Sequence, residues 1–132
     1  MQGISILTVD DEPDIVENVS LALGAAGYQV FTAGDGVEAL TVLQAHSIHL
    51  ILADIGMPKM DGYQLYQSVR ADPRWATIPF ILLTARMLYS DIRYATELGV
   101  DNYLVKPVRP ADLLAVVRHH LRRQQLPVHI DM

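Results

Sequence analysis

Short apolar runs alternate with segments of helical periodicity along this chain of 132 residues. The runs predict five strands, Ile4–Val9, Tyr28–Thr32, Leu50–Ala53, Phe80–Leu83 and Tyr103–Val105. Three of them are almost wholly apolar, as expected of strands that are buried on both faces of a parallel sheet. The second run is the most polar, and we expect it to lie at an edge of the sheet.

Between the strands, apolar residues recur at the helical period, which predicts five helices. The residues that mark their beginnings or ends are, in chain order, Pro13 and Gly27, Asp35 and Gly36, Pro73, Gly99 and Pro110. Five strand–helix repeats predict an α/β fold in which helices cover both faces of a parallel sheet.

Polar residues collect where the predicted strands end. Asp10 and Asp11 follow the first strand, Asp54 the third, Thr84 the fourth and Lys106 the fifth. Ligands of open parallel sheets bind outside the carboxyl ends of the strands, where the strand order reverses. With the strand order 2-1-3-4-5, the three carboxylates would share one pocket, and Thr84 and Lys106 would lie on its far side.

Three carboxylates in one pocket repel one another. At about 5 Å and an effective dielectric near 20, each pair costs roughly 3 kcal/mol, which protonation or a bound cation would relieve. Oxygen ligands without histidine or cysteine favour Mg²⁺, which takes one or two carboxylates and keeps several waters. Mg²⁺ together with Lys106 would balance the three negative charges, and the pocket could then admit a dianionic phosphoryl group.

Composition narrows the class of protein. Apolar residues make up 51% of the chain and charged residues 19%, which excludes a disordered or fibrous protein. The net charge of −5 argues against direct binding to nucleic acid or to a membrane surface, because both are polyanions. The chain has no cysteine and no apolar run of membrane-spanning length, so we expect one soluble, cytoplasmic domain.

Four motifs, in their order along the chain, resemble those of the receiver domain of two-component response regulators. They are Val9-Asp10-Asp11-Glu12, Asp54-Ile55-Gly56-Met57-Pro58-Lys59-Met60-Asp61-Gly62, Leu83-Thr84-Ala85 and Lys106-Pro107. The resemblance covers the chain from about Ile4 to Leu121. It implies a three-layer, doubly wound (βα)5 flavodoxin-like fold with a five-stranded sheet in the order 2-1-3-4-5. We expect the receiver domain over 1–122 and a C-terminal tail or the start of a linker over 123–132.

The resemblance also implies a phosphoacceptor and a metal site. Asp54 is expected to attack the phosphorus of a phosphohistidine on a sensor histidine kinase or a histidine phosphotransfer protein. Asp11, Asp54 and the backbone carbonyl of Gly56 are expected to bind Mg²⁺, or Mn²⁺ in its place. Asp10 is expected to assist, mainly through water.

The remaining pocket residues are expected to hold phosphoryl oxygens, Thr84 through its hydroxyl and Lys106 through its ammonium. The Lys106–Pro107 bond is expected to be cis. Tyr103 resembles an aromatic switch that turns inward as Thr84 moves, which would alter the surface of helix four, strand five and helix five for an unknown effector domain or output protein. The chain would then be a signalling phosphoacceptor, not an enzyme, that assists only its own phosphorylation and dephosphorylation.

Two other functions compete with this interpretation on similar architectures. A flavin- or nucleotide-binding module would need Gly, Ser or Thr amides after the first strand, where Asp10-Asp11-Glu12-Pro13 would repel phosphate in the absence of a metal. An aspartyl-phosphate phosphatase would place two Asp residues on either side of one position after the first strand, and the adjacent Asp10 and Asp11 do not fit that pattern.

Residues outside the motifs receive structural assignments. Asp61 is expected to cap the third helix, and Trp75 to contribute to packing. His119 and His120, which lie beside arginines near the end of the last helix, are assigned to a solvated helix end.

The sequence also bears on which contacts could hold two copies of this chain together. In the winged-helix transcription-factor branch of the family, receivers pair through salt bridges, and Asn102 and Val116 stand here where that branch usually has charged residues. A phosphorylation-dependent homodimer would therefore not use that charge-paired contact. Val116 is expected to join Leu113 and Val117 in an apolar patch for another partner.

Overall fold

The computed structural model of the protein describes residues 3–85 and 89–125, without the side chains of 89–92 and 123–125. Strands and helices alternate as β1 (Ser5–Val9), α1 (Pro13–Ala25), β2 (Gln29–Ala33), α2 (Gly36–Ala45), β3 (Leu50–Asp54), α3 (Gly62–Ala71), β4 (Phe80–Thr84), α4 (Tyr89–Leu98), β5 (Asn102–Val105) and α5 (Pro110–Gln125). All strand pairs are parallel, and the sheet order is β2-β1-β3-β4-β5. The predicted α/β fold, its sheet order and the edge position of the second strand are confirmed.

Side chains that alternate across the sheet enter two separate cores. One core lies beneath α2, α3 and α4 and includes Leu82 and Tyr66. The other lies beneath α1 and α5 and includes Ile81 and Leu23. Every residue of β1, β3 and β4 is buried, which explains their nearly continuous apolar sequences.

Two strands extend one residue beyond their apolar runs. β3 ends at Asp54 and β4 at Thr84, and both polar side chains are buried. Asp54 still pairs with Leu83 of β4, and Thr84 with Val105 of β5. Strand pairing therefore places a carboxylate and a hydroxyl at the carboxyl ends of β3 and β4.

Aspartate side chains cap two of the helices. Asp35 accepts a hydrogen bond from the Glu38 N–H at the start of α2 over 2.8 Å. Asp61 accepts one from the Gln64 N–H over 2.8 Å, and Gln64 Oε1 accepts in return from the Asp61 N–H over 3.0 Å. This capping box confirms the predicted role of Asp61 and defines where α3 begins.

The last helix corrects two sequence-based assignments. His120 is only 8% exposed and its Nε2 lies 3.2 Å from Asn102 Nδ2, so the assignment to a solvated end is wrong for His120, although His119 is exposed. Leu113 and Val117 are buried in the core beneath α5, so they form no surface patch with Val116. The helical period places residues 113, 117 and 120 on the inward face.

Helix α5 extends into the segment that was predicted to be a C-terminal tail or the start of a linker, residues 123–132. Residues 123–125 are helical, and the remainder of that segment, 126–132, lies outside the described residues. In the part of the chain that the structure describes, no helix has the length and apolar character needed to cross a membrane.

Candidate functional site

The carboxyl ends of β1, β3, β4 and β5 surround a cleft of about 490 Å³. Its lining residues are Asp11, Glu12, Asp54, Ile55, Gly56, Thr84, Ala85 and Lys106. Parallel pairing produces this arrangement, because Val9 of β1 lies opposite Ala53 of β3 and the residues that follow each strand emerge side by side.

Three carboxylates converge at this edge of the sheet. Asp10, Asp11 and Asp54 each offer an oxygen, and these oxygens all lie within 4.8 Å of one another. Asp10 and Asp54 are buried, whereas Asp11 is exposed. Both the backbone and the side chain of Asp10 are hydrogen-bonded. Its N–H donates to the Ala33 carbonyl over 3.0 Å, and its Oδ1 accepts from the Glu12 N–H over 3.0 Å.

Lys106 supplies the cation that faces these carboxylates. Its Nζ lies 2.8 Å from Asp10 Oδ2 and 3.2 Å from Asp54 Oδ1. Its backbone N–H donates to the Thr84 carbonyl over 2.8 Å, which ties the end of β5 to the end of β4. The peptide bond between Lys106 and Pro107 is cis.

Glu12 is the site residue that sequence reasoning left without a role. Its Oε1 lies 3.2 Å from Lys106 Nζ, so it competes with Asp10 and Asp54 for the same ammonium. Glu12 precedes the first residue of α1, but its side chain makes no capping hydrogen bond. Its position directly after the acidic pair was the only signal in the sequence.

The surroundings of the cleft disfavour the ionised form of Asp54 and favour the protonated form of Lys106. Burial raises the pKa of Asp54 above its ordinary value of 3.8, Asp10 raises it further, and Lys106 lowers it by less than these two effects combined. Burial on its own would lower the pKa of Lys106, but the contacts with Asp10 and Asp54 outweigh burial and raise it. Lys106 is therefore a permanent cation, beside a carboxylate whose ionisation its surroundings oppose.

The donor set fits a hard divalent cation. Asp10, Glu12 and Asp54 lie within 3.2 Å of one ammonium, and Asp11 adds a fourth carboxylate beside Asp10 and Asp54. Every side-chain ligand in this cluster is an oxygen, as Mg²⁺ prefers. Asp10 Oδ2 is fully buried and lies 2.8 Å from Lys106 Nζ, so the ammonium is its partner.

The loop after β3 approaches the backbone of Asp54 closely. The Gly62 N–H donates to the Ile55 carbonyl over 2.9 Å. A Cβ atom at residue 62 would collide with the Asp54 carbonyl oxygen, so α3 can begin here only with glycine. Gly56, from the same loop, lines the cleft beside Asp54.

The two residues expected to form a switch lie on neighbouring strands. Thr84 is buried at the end of β4, where it lines the cleft. Tyr103 lies on β5 opposite Leu82, half-buried against the core beneath α2, α3 and α4. Its backbone N–H donates to Asn102 Oδ1 over 2.8 Å.

Comparison with protein families and sequences reveals close relatives. A family model described as the response regulator receiver domain matches residues 6–118. The response regulator Rre1 of Synechocystis sp. is 42% identical over 125 residues, which make up 94% of this chain and 54% of that protein. The chain thus spans about half the length of the curated relatives that it matches.

Solved structures share the fold. The chemotaxis protein CheY4 of Vibrio cholerae has a TM-score of 0.83 and 34% identity, with 88% of this chain and 97% of that one covered. The receiver domain of the sensor histidine kinase PA1611 from Pseudomonas aeruginosa has a TM-score of 0.83 and 30% identity, with 90% and 98% covered. That structure is described as holding a magnesium ion coordinated in the active-site cleft.

Proposed function

This chain belongs to the response regulator receiver family, and we propose that it is a phosphoacceptor in which Asp54 receives a phosphoryl group. The donor would be a phosphohistidine on a sensor histidine kinase or a histidine phosphotransfer protein. The observation that carries the proposal is the position of Asp54, buried at the end of β3, 3.2 Å from Lys106 and within 4.8 Å of two further carboxylates.

The proposed reaction is an attack by one Asp54 carboxylate oxygen on phosphorus. A phosphorus–oxygen bond to Asp54 forms, the phosphorus–nitrogen bond to histidine breaks, and the nitrogen keeps the bonding electrons. No catalytic base is required, because an ionised carboxylate has no proton to lose. Lys106 already lies beside Asp54 Oδ1 and can pair with an oxygen of the incoming group, while Thr84 can donate its hydroxyl hydrogen to another.

The proposed metal ligands are the carboxylates of Asp11 and Asp54 and the carbonyl of Gly56, with Asp10 acting through water. When bound, Mg²⁺ supplies positive charge against the oxygens of the transferring phosphoryl group. The oxygen-only donor set supports this choice of metal, as does the magnesium described for the Pseudomonas relative. Mn²⁺ prefers similar ligands and is proposed as a substitute.

The proposed output surface is made by α4, β5 and α5. Movement of Thr84 toward a phosphoryl oxygen would leave space that the half-buried Tyr103 can occupy. Tyr94 of α4 and Val105 of β5 are large apolar residues that are already exposed, and they would form part of a changed contact surface for an effector. In this role the chain transmits a signal and catalyses no reaction on another substrate.

The experiment that tests this proposal uses acetyl phosphate as a small phosphodonor. With Mg²⁺ present, intact-mass measurement should show one added phosphoryl group in the wild-type chain and none in Asp54→Asn. Asp112→Asn is a matched control, because Asp112 is an exposed residue of α5 that pairs with Arg109 outside the cleft. It should be phosphorylated as the wild type is.

A chelator should abolish the added mass in the wild type if the metal takes part as proposed. Full phosphorylation of Asp54→Asn would place the acceptor elsewhere and overturn the assignment. A nucleotide or flavin bound to the purified protein would favour the competing flavodoxin-like function, and turnover of a phosphomonoester would favour the phosphatase.

A further inference from the structure

The loop between β3 and α3, residues 55–61, rests on the beginning of α2. The Gly36 N–H donates to the Met60 carbonyl over 3.3 Å. Lys59, which adopts a φ of 66°, places its Nζ 3.8 Å from Asp35 Oδ2. Asp35 also caps α2, so one aspartate serves both the helix and the loop. We call this set of contacts the α2 support.

The side chain of Met60 occupies the space that glycine leaves free at position 36. A Cβ atom placed on Gly36 would lie 2.6 Å from Met60 Cγ, 2.7 Å from its Cβ and 2.8 Å from its Sδ. Real Cβ contacts are longer than this, and the Cβ of Met60 can move only with its backbone. An alanine at position 36 would therefore displace the loop itself.

The same loop begins at the proposed phosphoacceptor and carries a proposed metal ligand. Gly56 follows Asp54 by two residues and lines the cleft. The chain turns tightly at both ends of the segment 55–60. The Met57 N–H donates to the Ile55 carbonyl over 3.2 Å, and the Met60 N–H donates to the Pro58 carbonyl over 2.6 Å. A compact loop of this kind transmits a displacement at Met60 toward Gly56.

We propose that Gly36 is a positioning residue for the metal site. Its lack of a side chain lets Met60 seat the loop on the α2 support, and the seated loop holds the Gly56 carbonyl in place for Mg²⁺. The inference rests on the proposed function, since it assumes that the cleft binds Mg²⁺. Gly36 itself does not line the cleft, so its effect must pass through Met60.

The test is a titration of metal-free protein with Mg²⁺ by calorimetry. Gly36→Ala should raise the Kd for Mg²⁺ about tenfold, which corresponds to roughly 1.4 kcal/mol of binding free energy. Phosphorylation by acetyl phosphate should be slower at limiting Mg²⁺ and should approach the wild-type rate at saturating Mg²⁺. Gly24→Ala is the matched control, because a Cβ at residue 24 in α1 meets no atom within 4 Å. It should leave the Kd unchanged.

A second pair of variants separates positioning from general damage. Met60→Gly removes the whole seated side chain, its Cβ included, and should raise the Kd two- to threefold. The double variant Gly36→Ala with Met60→Gly, in which no Cβ of residue 60 remains to clash, should recover from the Gly36→Ala value to that of Met60→Gly. If Gly36→Ala alone fails to fold, the inference still predicts that the double variant folds and has the Kd of Met60→Gly.

Three results would overturn the inference: a wild-type Kd in Gly36→Ala, a wild-type Kd in Met60→Gly, or a double variant that binds Mg²⁺ no better than Gly36→Ala does. A wild-type chain that neither binds Mg²⁺ nor accepts a phosphoryl group would refute the proposed function instead.

Discussion

Asp54 is an acid whose surroundings oppose its charge, and this makes its effect on stability depend on pH. Burial and the neighbouring Asp10 raise the pKa of Asp54 by more than Lys106 lowers it. The folded chain therefore holds the Asp54 proton more tightly than the unfolded chain does. Below the unfolded pKa of 3.8 the ionisation of Asp54 costs no stability. The cost grows as the pH rises through the higher folded pKa and is complete above it.

Replacing this acid should stabilise the fold at neutral pH. Asp54→Asn removes the charge, so its free energy of unfolding should exceed that of the wild type at pH 7, and the difference should shrink as the pH falls toward 3.8. Urea unfolding of both proteins across this pH range measures the effect. An Asn variant that is less stable at neutral pH would mean that the contact with Lys106 outweighs burial.

The residues of the site were predictable to different degrees. Asp54, Thr84 and Lys106 could be placed together because parallel strands bring their carboxyl ends to one edge of the sheet. The contact between Glu12 and Lys106 could not be predicted, because a glutamate before a helix is equally compatible with a solvated side chain. Only the three-dimensional path of the Lys106 side chain shows that it reaches Glu12.

At the level of elements, the start of α3 connects helix stability to the site. Asp61 caps this helix, and the next residue contacts the Asp54 backbone. Asp61→Ala should lower the free energy of unfolding by about 1 kcal/mol, while Asp61→Ser should retain most of it. Denaturant unfolding of the two variants beside the wild type gives the comparison. Equal stability of Asp61→Ala and the wild type would show that the capping box contributes nothing measurable.

The strands themselves were easier to predict than their last residues or the burial of single polar side chains. β1, β3 and β4 are buried on both faces, so their apolar runs identify them directly. The polar last residues of β3 and β4 interrupt those runs, although backbone pairing continues through them. His120 of α5 was misassigned because a polar residue on the inward face of a helix breaks the apolar pattern, and its neighbour Asn102 comes from a different element.

At the scale of the whole molecule, charges near β5 are engaged within the chain. Asp101 Oδ2 accepts hydrogen bonds from Arg70 over 2.8 Å and from the Phe80 N–H over 2.7 Å. Asn102 contacts His120 and the Tyr103 N–H. An aspartate already paired internally is a poor partner for a second copy of the chain, which supports the expectation that a charge-paired dimer does not form.

That expectation concerns the phosphorylated state. Sedimentation of the chain with beryllofluoride and Mg²⁺, which together mimic the phosphoryl group, should show no dimer that depends on salt. Exposed ion pairs contribute at most about 1 kcal/mol each, so a dimer held by them would weaken as the salt concentration rises. A tight dimer at low salt that dissociates at high salt would prove the expectation wrong.

The central claim, that Asp54 becomes an aspartyl phosphate, is tested most directly by chemical trapping. The chain is incubated with acetyl phosphate and Mg²⁺ and then treated with sodium borohydride, which reduces an acyl phosphate to an alcohol and so converts a phosphorylated aspartate to homoserine. Proteolysis and tandem mass spectrometry locate the change. We predict homoserine at position 54 and intact aspartate at positions 10, 11 and 61. Homoserine at one of those three positions, with Asp54 intact, would contradict the claim.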